Sequence, residues 1–215
     1  MSRPIHIDRG FIWGLVDQVI ESISDVDWEN VEDDKEILTY FQAYLTDVTN
    51  RHRRFFIYVH GKYEDHEDII PGTGYLGYDG KVPIVVVYLN TKHAPIEEQD
   101  LLPYRDYIYS VLVHEITHAS EYHRVTTVTD GIEDSDDSFR NYINTPEEVR
   151  AYLRNIIEEL TDFEDEFHGN NYQELSSFMR RSSTWVDVAR SMNDGNLRKI
   201  EIDTWYYFMN ADDVV

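Results

Sequence analysis

The segment Val113-His114-Glu115-Ile116-Thr117-His118 places two imidazoles four residues apart, with a glutamate beside the first. On a helix that spacing sets both rings on one face, one turn apart, where their nitrogens can meet a single ion. Two such rings supply half of a tetrahedral zinc site. Glu115, about 100° around the helix from His114, can approach a water held there and take its proton without being a ligand. The pattern H-E-x-x-H is short enough to arise by chance, so its surroundings carry weight. With His114 at 0° on a helical wheel, His118 falls near 40°, whereas Ile108, Leu112, Ile116 and Ala119 gather between about 120° and 200°. The histidines therefore stand off the core stripe. Tyr107, Val111 and Tyr122 share their side and are expected to wall a partly buried cleft, because a solvated face seldom carries so much apolar area.

Zinc that keeps one position open for water needs a third protein ligand, and His, Glu or Asp can provide it. Asn144-Thr145-Pro146-Glu147-Glu148-Val149, with Glu148 thirty residues beyond His118, opens a second helix, with Thr145 fitting the N-cap and Pro146 the first helical position. Its core stripe is Val149, Leu153, Ile156, Leu160, Phe163 and Phe167. Glu147 points about 160° away from Val149, whereas Glu148 lies about 100° away, at the stripe's margin. Glu148 is therefore the carboxylate able to face a neighbouring helix. The competing role for Glu148 is the capping box that T-x-x-E spacing satisfies without any metal.

These residues together resemble the zincin metallopeptidases, and among them the gluzincin arrangement, in which H-E-x-x-H on one helix is completed by a glutamate from a later one. Thr145 to Tyr152 also looks like the P-x-E-x-x-A signature of small predicted metallopeptidase domains, many of them encoded by bacteriophages. The resemblance covers about residues 82 to 160 and implies zinc as cofactor, held by His114, His118 and Glu148. It further implies an edge strand that pairs with an extended peptide, for which Lys81 to Leu89, centred on Val85, Val86 and Val87, is the matching segment. The metzincin pattern does not fit, since the position ten residues after His114 is Arg124 and His123 is one residue out of register. Asp130 could serve as an aspzincin-like ligand but lacks that family's preceding Gly-Thr. The implied reaction is peptide-bond hydrolysis: zinc polarises the carbonyl and acidifies its water, Glu115 takes the proton, and Tyr142, Tyr152, His168 or the backbone of the edge strand stabilises the oxyanion.

Phe11, Ile12, Leu15, Val16, Val19, Ile20 and Ile23 recur at helical spacing after an Asp8 cap. Ile37, Leu38, Phe41, Leu45 and Val48 suggest a second helix, ending at Arg51-His52-Arg53-Arg54, so helices are expected over 8–50. Phe55 to His60 is aromatic and β-branched and reads as a strand. Thr73 to Tyr78 and Lys81 to Leu89 form a hairpin about Asp79-Gly80, and Pro83 predicts one unpaired edge near the start of its second strand. The sheet is expected over 55–90. From residue 103 to 215 the pattern is helical, broken by an acidic loop from Asp130 to Ser138. Asp134, Asp136 and Asp137 in that loop miss the spacing of a calcium-binding loop and read as solvated. Gly72-Thr73-Gly74 reads as a turn. The fold class is α+β: one mainly helical, zincin-like domain with a small sheet preceding the H-E-x-x-H helix.

Across 215 residues, 42 Asp and Glu against 19 Lys and Arg leave a formal charge of −23. That field repels nucleic-acid phosphates and anionic membranes and draws basic peptides or proteins, so the expected partner is a peptide or protein substrate. The tyrosines and tryptophans accordingly read as packing rather than as a base-stacking platform. With no cysteine, any transition metal must be held by His, Asp or Glu. No run is apolar enough to span a bilayer and no secretory h-region is visible, so the expected place is the cytoplasm, or the host cytoplasm or virion for a phage-encoded chain. The rival reading is an acidic, non-enzymatic interaction protein or virion component with a structural or vestigial zinc site. Such a site needs the histidines but not Glu115.

Overall fold

Asp8 starts the first helix, α1 (Arg9–Glu21): its carboxylate accepts from the Phe11 N–H at 3.2 Å, satisfying one of the orphan donors of the first turn. The expected apolar face, Ile12, Leu15, Val16, Val19 and Ile20, is buried. The computed structural model describes residues 8–31, 34–46, 52–65, 67–70, 76–79, 82–121 and 136–210. The chain packs as two compact units, Met1–Tyr122 and His123–Val215, each with its own apolar core. Helices and a small sheet make it α+β, with the sheet preceding the helix that carries H-E-x-x-H.

In the first unit four strands, β1 (Asp34–Thr46), β2 (His52–Lys62), β3 (Leu76–Asp79) and β4 (Val82–Asn90), form one sheet in the order β1-β2-β4-β3. β2 and β4 are parallel and the outer pairs antiparallel. Here the structure corrects two expectations. The second helix expected within 8–50 is strand β1, so the sheet runs over 34–90 rather than 55–90, and His52 to Arg54 begin β2 instead of ending a helix. Ile37, Leu38 and Phe41 do carry a helical spacing, but the burial alternates: Ala43 is buried while Tyr40, Gln42 and Tyr44 are exposed. Pairing with Phe55 to Val59 favours these aromatic and β-branched residues as strand, and Tyr40 packs against the rings of Phe56 and Tyr58.

The second correction concerns β4, which is not an edge strand. It lies between β2 and β3, and Val85, Val86 and Val87 are buried. Pro83 stands opposite Tyr78 of β3, one residue before the pairing with β2 begins at Ile84, so the unpaired edge it predicts is confined to the β2 side of the strand's first residues. Asp79 pairs with Val82 in the antiparallel register expected of the hairpin. Gly80 and Lys81, Thr73 to Tyr75 and the Gly72-Thr73-Gly74 turn lie outside the described residues.

Phe55, Ile57 and Val59 of β2 and Val85, Val87 and Leu89 of β4 alternate onto one face of the sheet. They share a core with α1 and with Ile108, Leu112, Val113 and Ile116 of a later helix. Between β4 and that helix lies a single turn, α2 (Glu98–Leu101), followed by α3 (Arg105–Glu121). Burial of Ile108, Leu112 and Ile116, each worth about 1.5–3 kcal/mol, fixes the rotation of α3 and thus the direction in which its histidines project.

The second unit is helical: α4 (Asp136–Ile143), α5 (Pro146–Thr161), α6 (Tyr172–Met179), α7 (Ser183–Val188) and α8 (Asp194–Met209). Helix α4 already begins at Asp136, so the acidic loop expected through Ser138 is shorter; Asp130 and Asp134 lie outside the described residues. The side chains of Thr145, Asn171, Ser182 and Asn193 each cap the helix that follows. Val149, Leu153, Ile156 and Leu160 form the predicted stripe of α5; the helix ends at Thr161, and Phe163 and Phe167 pack into the same core from beyond it. Among the described residues no helix is long and apolar enough to cross a membrane.

Candidate metal centre

Because the apolar stripe of α3 faces its core, His114 and His118 project from another side of the helix, as the wheel predicts. Their rings lie 4.9 Å apart, centre to centre, at 74°, and the two Nε2 atoms converge to 3.2 Å. Two imidazole nitrogens bound at 2.0–2.1 Å to one tetrahedral ion are about 3.3 Å apart, so the pair is spaced as a metal chelate. His118 is 9% exposed, Glu115 6%, and His114 is half-buried. The Thr117 hydroxyl between them is satisfied within the helix, donating to the Val113 carbonyl at 2.7 Å. Val111 is buried and Tyr107 partly exposed, the latter's hydroxyl pushed up in pKa by burial and by the charge of Asp68. Tyr122 lies outside the described residues.

Glu148 sits in the first turn of α5. Thr145 caps that helix, its hydroxyl accepting from the Glu148 N–H at 3.4 Å. A reciprocal capping box would require the Glu148 carboxylate to accept from the Thr145 N–H. That N–H instead donates to the Tyr142 carbonyl at 3.0 Å. The cap is therefore built by Thr145 without the Glu148 side chain. The two neighbouring glutamates differ as the wheel predicts: Glu148 is 4% exposed, whereas Glu147 is a third exposed and pairs with Arg150 at 3.5 Å.

One ligand atom from each of His114, His118 and Glu148 lies within 4.8 Å of the others, a group that could hold a metal ion. Glu115 is not a member of that group. In comparisons with known proteins the chain matches no family model, no curated protein and no solved structure. The chemistry of the site therefore rests on its own residues.

Of the three residues considered for the oxyanion, Tyr152 is one turn along α5 from Glu148, about 40° around the helix and thus on the same face. Tyr142 lies at the end of α4 and packs on the core of the second unit. His168 is exposed beyond α5, in a segment whose backbone N–H groups at His168 and Asn170 donate to Glu174 at 2.6 and 2.8 Å; those bonds hold the Glu174 carboxyl below its usual pKa.

Sequence reasoning missed that α5 buries a polar side as well as its apolar stripe. Asn155, Arg154 and Glu158 are as buried as Glu148, and Arg154 pairs with Glu158 one turn on. Arg and Glu at i and i+4 ordinarily signal a solvated face, so the spacing held no warning of burial.

The division of labour at Thr145 has a measurable consequence. Thr145→Ala is expected to cost about 1 kcal/mol of stability through loss of the cap while leaving metal affinity within about threefold of the parent. Thermal melting and a competitive chelator titration of the same protein read the two quantities separately.

Proposed function

We propose that the protein is a zinc-dependent peptidase in which His114, His118 and Glu148 hold the ion and Glu115 is the general base. The observation that carries this reading is the convergence of the two histidine Nε2 atoms to 3.2 Å, with a Glu148 oxygen within 4.8 Å and a buried Glu115 next to the first ligand. Zinc suits this set because the donors are two imidazoles and a carboxylate, three protein ligands that leave a fourth position open. Burying two carboxylates beside two imidazoles is costly unless a cation or protons compensate, and a divalent ion does so without neutralising the base.

Bound there, zinc supplies Lewis-acid chemistry, lowering the pKa of water and polarising a carbonyl. Glu115 accepts the proton of the attacking water and returns it to the leaving amine, so that one group serves as base and then as acid. Tyr152, on the Glu148 face of α5, is the residue assigned to hydrogen-bond the carbonyl oxygen as it gains charge. A closed structural site in an acidic interaction protein would need the two histidines but has no use for a carboxylate at position 115. Incubating the zinc-loaded chain with a peptide library and reading new termini by mass spectrometry tests the reading. Zinc-dependent cleavage, abolished by chelation, is the expected result. Its absence across the library, with the metal bound, would favour the interaction protein.

A further inference from the structure

Within the second unit, the end of α4 and the turn before α8 frame an open cleft of about 450 Å³, lined among others by Arg140, Asn141, Asn144, Arg190, Met192 and Asn193. Its base is fixed by one side chain. The Asn144 amide oxygen accepts from the Asn193 N–H at 2.8 Å and from Asn196 Nδ2 at 3.0 Å, and its amino group donates to the Arg140 carbonyl at 2.6 Å. Asn193 in turn caps α8, accepting from the Asn196 N–H at 2.9 Å, and Met192 is buried alongside. The cleft is thus preorganised by a knot of asparagines, and two exposed arginines stand on it.

Their lack of a described carboxylate partner sets them apart from five other arginines. Arg105, Arg150, Arg154, Arg181 and Arg198 each pair with a carboxylate. Neither Arg140 nor Arg190 has a carboxylate partner among the described residues. Two guanidinium forks in one concavity present the donor geometry that a carboxylate accepts. The overall charge of −23 opposes polyanions at long range, but beyond a Debye length of about 8–10 Å it is screened, and a single carboxylate entering the cleft is governed by the two arginines beside it. Asn144, in the turn before the Thr145 cap, is four residues before the proposed ligand Glu148 in the chain.

We propose that this cleft is a carboxylate-binding subsite that holds an acidic side chain or the C-terminal carboxylate of the peptide substrate. Its use in substrate selection rests on the peptidase reading; its affinity for a carboxylate does not. The substrate preferred locally is acidic, opposite to the basic partner that net charge alone suggests.

The test uses the full, zinc-loaded chain and three hexapeptide libraries: one with free C-termini, one amidated at the C-terminus, and one with Asp and Glu replaced by Asn and Gln. Equilibrium dialysis against Glu115→Gln protein reads binding without turnover, and the parent protein reads cleavage. At least tenfold weaker binding of one altered library is expected, identifying whether the side chain or the C-terminus is held. Arg140→Gln with Arg190→Gln should erase that difference while zinc content and melting temperature stay at parental values, and should raise KM for carboxylate peptides at least tenfold with kcat retained. Equal binding of all three libraries, or selectivity that survives in the double variant, would overturn the subsite. Carboxylate-selective binding without cleavage supports the cleft and contradicts the peptidase reading; cleavage without selectivity contradicts the cleft alone.

Discussion

Glu115→Gln is expected to fold, to retain its zinc, and to hydrolyse peptides roughly 100-fold or more slowly than the parent. The amide preserves the size of a side chain that is only 6% exposed, so packing within α3 is maintained. Glu115 is not among the three residues whose donor atoms converge, so its loss leaves the ligand set intact. What the amide cannot do is accept the proton of the attacking water at neutral pH. Zinc content, calorimetric melting and cleavage rate measured on the same preparation separate these effects. A Gln variant that cleaves at the parental rate would remove Glu115 from the mechanism, and one that loses its zinc would make residue 115 a contributor to the metal site instead.

The second large effect is expected at α5. Glu148→Ala should weaken zinc binding by more than the roughly 10–100-fold that follows loss of an outer-shell partner, whereas Glu147→Ala should leave it within a few-fold. The contrast rests on burial and pairing: Glu148 is almost fully enclosed and belongs to the group with His114 and His118, while Glu147 reaches solvent and Arg150. Both are acidic residues in the first turn of one helix, so their favourable interaction with the helix N-terminus is similar and cancels in the comparison. Melting of the metal-free variants removes any residual stability difference. Equal zinc affinities in the two variants would take Glu148 out of the ligand set.

Much of this arrangement was legible in residue spacing, for a physical reason. The helices α1, α3 and α5 bury one apolar stripe each, and a stripe of period 3.6 is visible in the sequence as soon as its residues are written out. The same wheel that set Ile108, Leu112 and Ile116 inward turned His114 and His118 away from them, and it separated Glu148 from Glu147. Strand β1 was not legible in that way. Ile37, Leu38, Phe41 and Leu45 fall at helical intervals by coincidence, and the partner that makes them a strand, Phe55 to Val59, is supplied by tertiary pairing.

Strand order is likewise a property of the assembled sheet. Val85, Val86 and Val87 form the same apolar run whether β4 is central or at an edge, and only the neighbours β2 and β3 decide. The buried Arg154–Glu158 pair and the arginine cleft were silent for a related reason. Their residue types are those of solvated surfaces, and Arg140 and Arg190 meet at one cleft only because α4 and the turn before α8 fold together.

The roles assigned to His114, Glu115, His118 and Glu148 depend on the metal. Protein purified without a histidine tag, reconstituted with zinc and freed of excess by dialysis, should contain about one zinc per chain, and X-ray absorption at the zinc edge should show only nitrogen and oxygen neighbours at about 2.0–2.2 Å, two of them imidazole. In His114→Ala with His118→Ala the zinc should be lost. Less than about 0.1 zinc per parental chain, or zinc that remains bound after both histidines are removed, would contradict a centre built from His114, His118 and Glu148.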